Sequence, residues 1–296
     1  MRKVIGLLAM LIFSFTSNAQ YNMDYIANLK QVGGKYQIKS PEKTIGVVVY
    51  QQIFKPDSTK LDSVQIDTMA LSYSQHFSDY RLNALRRLDS TVSNIIDRKS
   101  KEDPSAKNTE PFPKYDYRLS KTRFLSDANN VYGYETLIEN EYLLKYITKK
   151  INWDISDSTK EVCGFTCQKA TADILGRHYT AWFTTDIPAS FGPRTLIGLP
   201  GIILLAYDNT REIYYTAINI FQSNETATIG LPTNAVVCTK KEFGNMLEAF
   251  ETNPSAFLSS QKNVVVGVGS AVRGAKQSNK PAKKESKNAI ELEMEK

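Results

Sequence analysis

The chain of 296 residues carries 37 Lys and Arg against 31 Asp and Glu, a net charge of +6, and three cysteines. A hydrophobic fraction of 42% with 10% aromatics excludes a wholly disordered or collagen-like chain, and the length allows one large or two ordinary domains. The basic excess sits at the ends, in Arg2 and Lys3 and in seven basic residues against four Glu after residue 269; residues 4–269 keep 28 basic and 27 acidic groups. A near-neutral body gives no footprint for a nucleic-acid partner.

The first nineteen residues read as a secretory signal. Arg2-Lys3 forms a positive start, Val4 to Phe15 an apolar stretch too short to span a bilayer, and Ser17-Asn18-Ala19 a small-residue cleavage site before Gln20. No cysteine stands near that site to accept a lipid, and no later run reaches the ~18 apolar residues of a membrane helix. The expectation is an exported protein of the periplasm or outer membrane, or a secreted one, with no transmembrane span.

Lys43 to Phe54 is rich in β-branched and aromatic residues and predicts a strand; Pro56-Asp57-Ser58 marks a turn, and Val64 to Tyr73 resumes the extended pattern. Phe77, Leu85, Leu88, Val92 and Ile95 recur at helical spacing, predicting one amphipathic helix over about 77–98, followed by a proline-bearing loop over 99–114. From Tyr115 to Cys238 the pattern is strands at 116–125, 131–138, 141–149, 160–173, 176–185, 202–207, 212–222 and 225–230. Their short connections leave no room for crossover helices, so the pairing should be mainly antiparallel. Thr239-x-x-Glu242 is a capping box that opens a helix bearing Phe243, Met246, Leu247 and Phe250, and Asn253-Pro254 ends it. The predicted organisation is a signal over 1–19, one β-rich domain over 20–269 and a Lys-rich disordered tail over 270–296. The fold class is α+β, mainly antiparallel β, a curved sheet packed with a few helices, with a half-barrel as one form of it.

Three cysteines leave at least one thiol unpaired in a monomer. Read as part of one extended strand, Cys163 and Cys167 have Cα atoms about 13 Å apart, beyond the ~7 Å limit for a bridge. Any single disulfide should then join Cys238 to Cys163 or to Cys167. A metal site lacks ligands, because the only histidines are His76 and His178. No cofactor motif is present.

The most distinctive stretch runs from Gly176 to Asp208. Tyr179, Ala181 and Phe183 share one strand face, and His178, Thr180, Trp182, Thr184 and Asp186 the other. Ile187-Pro188 and Gly192-Pro193 hold an extended loop. Leu199-Pro200-Gly201-Ile202 fits a type II turn with Gly201 at positive φ, and Ile202 to Tyr207 reads as a strand covered on both sides. If the loop from Asp186 to Gly201 rims a cleft, its polar and aromatic contacts are Arg177, Trp182, Asp186 and Arg194; a structural Arg177–Asp186 ion pair is the favoured architectural reading.

Gly198-Leu199-Pro200-Gly201-Ile202-Ile203 resembles the signature hexapeptide of the GLPGLI family of exported bacterial proteins, with Ile202 in place of its second Leu. Gly164-Phe165-Thr166-Cys167-Gln168-Lys169-Ala170, Gly176-Arg177, Ala181-Trp182-Phe183, Ile187-Pro188 and Gly192-Pro193 match the family's flanking pattern in order. Asp208 stands at the family's strand-ending acid, and Thr239-Lys240-Lys241-Glu242-Phe243 is similar to its helix start. The resemblance is close over about 160–210, and it implies no activity, substrate or catalytic residue.

Three classes of function follow. A non-enzymatic envelope module binding a hydrophobic ligand or a protein partner fits the neutral, aromatic-rich body best. An enzyme would use Cys167 with His178, which flank a hairpin turn but lack a third orienting group; no G-x-S-x-G or H-E-x-x-H set is present. A structural or assembly factor of the outer envelope would use the Lys-rich tail on anionic lipid or peptidoglycan.

Overall fold

A computed structural model describes residues 38–56, 64–91, 122–138, 140–147, 149–223 and 227–260. The expected signal, the loop over 99–114 and the Lys-rich tail lie outside the described residues. Contacts divide the chain into two units, Met1–Lys39 with Pro232–Asn234, and Ser40–Leu231 with Ala235–Lys296.

The dominant feature of the second unit is a 12-stranded sheet in the order β14-β7-β6-β5-β4-β3-β2-β12-β11-β10-β9-β8. In chain order the strands are β1 (Ile38–Lys43), β2 (Gly46–Phe54), β3 (Gln65–Tyr73), β4 (Ser78–Leu82), β5 (Arg123–Ser126), β6 (Val131–Leu137), β7 (Asn140–Ile147), β8 (Asp154–Val162), β9 (Phe165–Ile174), β10 (Arg177–Thr184), β11 (Ile202–Asp208), β12 (Ile213–Gln222), β13 (Thr228–Pro232) and β14 (Val236–Cys238). β1 and β13 form a separate two-stranded sheet. Within the large sheet every pairing is antiparallel except the three-residue parallel contact of β14 with β7.

The connection from β7 to β8 forces the sheet to curl. These strands stand ten places apart in the sheet, roughly 48 Å if it were flat. The six residues 148–153 that join them reach at most about 25 Å. The sheet therefore wraps round until its two ends approach, without closing into a barrel. Its inner face carries one continuous core, in which Tyr50, Met69, Leu71, Tyr80, Phe183 and Tyr215 are 0–1% exposed.

Two sequence expectations change here. The helix predicted over 77–98 is β4 followed by helix α1 over 83–91, with 92–98 outside the described residues. Ser78–Leu82 alternates between Asp79 and Arg81 on one side and the core residues Tyr80 and Leu82 on the other, and pairing to β3 and β5 overrides the eight-residue gap from Phe77 to Leu85. Burial pushes the Asp79 carboxyl up, but Arg123, whose Nη2 lies 2.8 Å away, and Arg81 outweigh it and hold it below its ordinary value. The single strand predicted over 160–173 is a hairpin, because Cys163 (φ 53°) and Gly164 (φ 81°) form a two-residue left-handed turn between β8 and β9.

Helix α2 (Lys240–Thr252) opens with the expected capping box: Glu242 N donates to Thr239 Oγ1 at 3.2 Å, and Thr239 N donates to Glu242 Oε2 at 2.7 Å. It ends before Asn253, and Pro254 starts a further short helix, α3 (Pro254–Ser260), at the position where a missing N–H costs nothing.

Candidate functional site

The loop 185–201 between β10 and β11 fills the curled sheet. Ala189, Phe191, Leu196, Ile197 and Leu199 are at most 5% exposed and join the core. A loop buried in this way must satisfy its own backbone. Gly198 N donates to Ser190 O at 2.9 Å, Ile203 N to Phe191 O at 3.0 Å, and Ile202 N to Ile187 O at 3.1 Å. Side chains from elsewhere complete the set: Trp153 Nε1 donates to Ile197 O at 2.8 Å, and Tyr50 Oη to Ile203 O at 2.6 Å.

The glycines of the hexapeptide act differently from the expected type II turn. Gly198 takes positive φ (92°), whereas Gly201 does not. Gly201 is required for close approach, since a Cβ there would lie 2.0 Å from Thr184 O. Gly192 is similar, with Leu196 O 2.7 Å from its would-be Cβ. The hexapeptide is thus a packing device that lets a loop pass against strand backbone.

Arg177 does not pair with Asp186. Its Nη1 lies 2.6 Å from Asp208 Oδ2 and 3.3 Å from Glu212 Oε2, with the Arg177 side chain 2% exposed and that of Asp208 0%. The reason is register: Tyr179 of β10 lies opposite Asp208 of β11, which sets Arg177 beside the β11–β12 turn, while Asp186 is beyond the other end of β10 and exposed. Asp208 also accepts from Thr210 Oγ1, from Glu212 N at 2.9 Å and from Ile213 N at 3.0 Å. One carboxylate therefore ties β10 to the β11–β12 turn. The turn chemistry of Asp208-Asn209-Thr210 is visible in the sequence; the partnership with Arg177 and Glu212 is not.

The four candidate contact residues are carried to different places. Arg177 is inside the ionic cluster. Trp182 is half-buried, with Lys160 Nζ 5.5 Å from its ring centroid and its Nε1 without a hydrogen-bond partner among the described residues. Asp186 is exposed at the loop's start. Arg194 (φ 58°) reaches across to β5, its guanidinium 4.4 Å from the centroid of Phe124.

All three cysteines are free thiols, which corrects the expected bridge from Cys238. Cys238 on β14 and Cys167 on β9 are buried in separate hydrophobic clusters, and Cys163 is exposed in its turn. Burial pushes the Cys167 thiol up to about 11, with the Asp186 charge adding to it, which favours its protonated form at neutral pH. His178 stands apart on the exposed side of β10, its Nδ1 2.8 Å from Asp173 Oδ1. Among the described residues no cluster of three or more His, Cys, Asp or Glu could hold a metal ion, and no helix is long and apolar enough to cross a membrane.

Large apolar side chains are exposed at several places, Ile66 (62%), Ile45 (53%) and Ile218 (52%) among them, and β14 and α2 add a group beside a partly buried aromatic cluster. Val236 and Val237 are 51% and 49% exposed and Leu247 is 37% exposed. Phe243, Met246, Phe250 and Phe257 are only partly buried, packed against Leu137, Tyr142, Leu144 and Cys238, and no residue of α2 is buried.

No curated protein matches the chain. Among solved structures it resembles PNGF-II in its P21 and C2 crystal forms, at 12% identity and TM-scores of 0.45 and 0.46, over 69% of this chain. It spans about a third of the length of those chains (33%), and likeness at that level carries no argument about activity. Residues 174–205, the end of β9 through β10 and the buried loop into β11, match the sequence model of a family described as a protein of unknown function (Porph_ging).

Proposed function

We propose that this protein is an exported, non-enzymatic envelope protein related to the GLPGLI family, and that it works by docking a partner protein. The observation that carries this reading is where apolar surface is filled and where it is left over. The interior of the curled sheet, where a lipid-carrying half-barrel would hold its cargo, is occupied by Phe191, Leu196 and Leu199 of the loop. Of the exposed apolar side chains, those of β14 and α2 accompany a partly buried cluster of Phe243, Met246, Phe250 and Phe257, and contiguous apolar patches of this kind mark interaction sites. The free edge at β8 is a poorer docking strand: it carries Asp154, Asp157, Lys160 and Glu161, and its register shifts between Ile155 and Thr159, both devices that blunt strand addition.

The test places a photo-crosslinking residue at Leu247 in the native envelope. One stoichiometric adduct is expected, abolished by Val237→Glu, while a crosslinker at Ser158 on β8 gives none. Equal labelling at both positions, or an adduct indifferent to Val237→Glu, overturns the reading. Amino-terminal sequencing of the mature protein tests export directly, with Gln20 the expected first residue.

A further inference from the structure

We propose that a depression at the β7–β8 crossing, separate from the surface assigned to partner docking, binds a small organic anion with an apolar chain of about eight carbons. The site is an open cavity of about 360 Å³, within the usual size range of small-molecule sites. At ~30 Å³ per water-sized group it takes about a dozen non-hydrogen atoms. Its floor is Ile147, Ile151 and Ile174, each 3–8% exposed and continuous with the core. Its rim carries the exposed cations Lys149 and Lys150 and the Asn152 amide.

Charge decides the ligand class. Neither lysine is ion-paired among the described residues, so two ammonium groups stand against the single carboxylate on the rim, Asp173, whose Oδ1 lies 2.8 Å from His178 Nδ1. Two ammonium groups beside an apolar floor suit a carboxylate or phosphate head with a hydrocarbon tail; a bare anion would forgo the floor, and a neutral alkane would forgo the rim. Two features border the depression. Trp153, next to Asn152, is tied to the buried loop by its hydrogen bond to Ile197 O, and Leu175 (φ 47°) and Gly176 (φ 76°) form a tight turn on the opposite side.

The experiment uses the full mature chain with Trp182→Phe, leaving Trp153, next to Asn152, as the one tryptophan reporter. Octanoate, octyl phosphate, octanol and acetate are titrated by fluorescence and calorimetry. Saturable binding of octanoate or octyl phosphate is expected, at least ten-fold tighter than octanol or acetate and weakened at least ten-fold by Lys149→Glu/Lys150→Glu. The milder pair Lys149→Gln/Lys150→Gln, checked for an unchanged melting temperature, guards against a folding defect. Absence of saturable binding by either anion, octanol binding as tightly, or an affinity untouched by both charge variants overturns the proposal. Val237→Glu should leave octanoate binding unchanged, so failure here and failure of partner docking are read separately.

Discussion

Arg177→Ala tests whether the ionic cluster beneath the β11–β12 turn holds the fold. The substitution removes the guanidinium from between Asp208 and Glu212 and leaves Asp208, 0% exposed, as a charge without its counter-ion. Breaking a buried pair in this way costs about 3–5 kcal/mol. Asp208 keeps Thr210 Oγ1 and the amides of Glu212 and Ile213, which places the loss near the lower end, about 3 kcal/mol. For a domain of this size that lowers the melting temperature by about 6–12 °C. Thermal and urea unfolding at pH 7 read the change, repeated at 0.05 and about 0.5 M salt. A pair this buried is poorly screened, so the loss should persist at the higher salt. Arg177→Met combined with Asp208→Asn removes both charges yet keeps an acceptor for the two amides, and should recover at least half of the loss. A drop under about 2 °C for Arg177→Ala, or one that vanishes with salt, would refute the assignment.

Gly201→Ala sets a Cβ 2.0 Å from Thr184 O, a backbone atom with nowhere to move, and should cost about 3 kcal/mol or prevent folding, measured by urea unfolding. Thiol titration of the native protein at neutral pH should find Cys163 fast, with Cys167 and Cys238 released only on unfolding, because Cys163 is exposed and the other two are buried; a fast Cys167 would reopen thiol chemistry at that site. The raised Cys167 value also has a signed consequence. A thiol that stays protonated longer in the folded chain contributes stability fully present below its ordinary value of 9.0 and lost as pH rises through about 11. The stability difference between wild type and Cys167→Ala should therefore shrink between pH 9 and 11; a constant difference would show that the burial effect is absent. Thr239→Ala, which removes the capping hydroxyl of α2, should cost about 1 kcal/mol in the same unfolding assay.

The strands, the capping box and the mainly antiparallel pairing were legible in the residues because each depends on local chemistry. β-branched runs, Asp-Asn turns and a Thr-x-x-Glu spacing act within a few residues of themselves. Even the boundaries that went astray have local causes. Cys163 adopts a left-handed backbone that its residue type does not advertise, and Phe77 sits at a distance from Leu85 that fits a helix without requiring one. The family-like stretch stood out by composition alone, but the roles of its glycines did not: positive φ falls on Gly198, and Gly201 serves close approach to Thr184 instead of the expected type II turn.

What the sequence could not supply is which surfaces meet. Arg177 finds Asp208 and Glu212, rather than Asp186, because strand register sets the chain 31 and 35 residues on against it. Trp153 reaches the carbonyl of Ile197, 44 residues on, because the loop after β10 turns inward beside the start of β8. Curling of the sheet turns the Pro- and Gly-rich loop inward as core and makes the cavity between β7 and the β9–β10 turn. Local propensity determined the elements of this protein; closure of long loops through register and burial, which no local pattern encodes, decided where its charges, thiols and open surfaces lie.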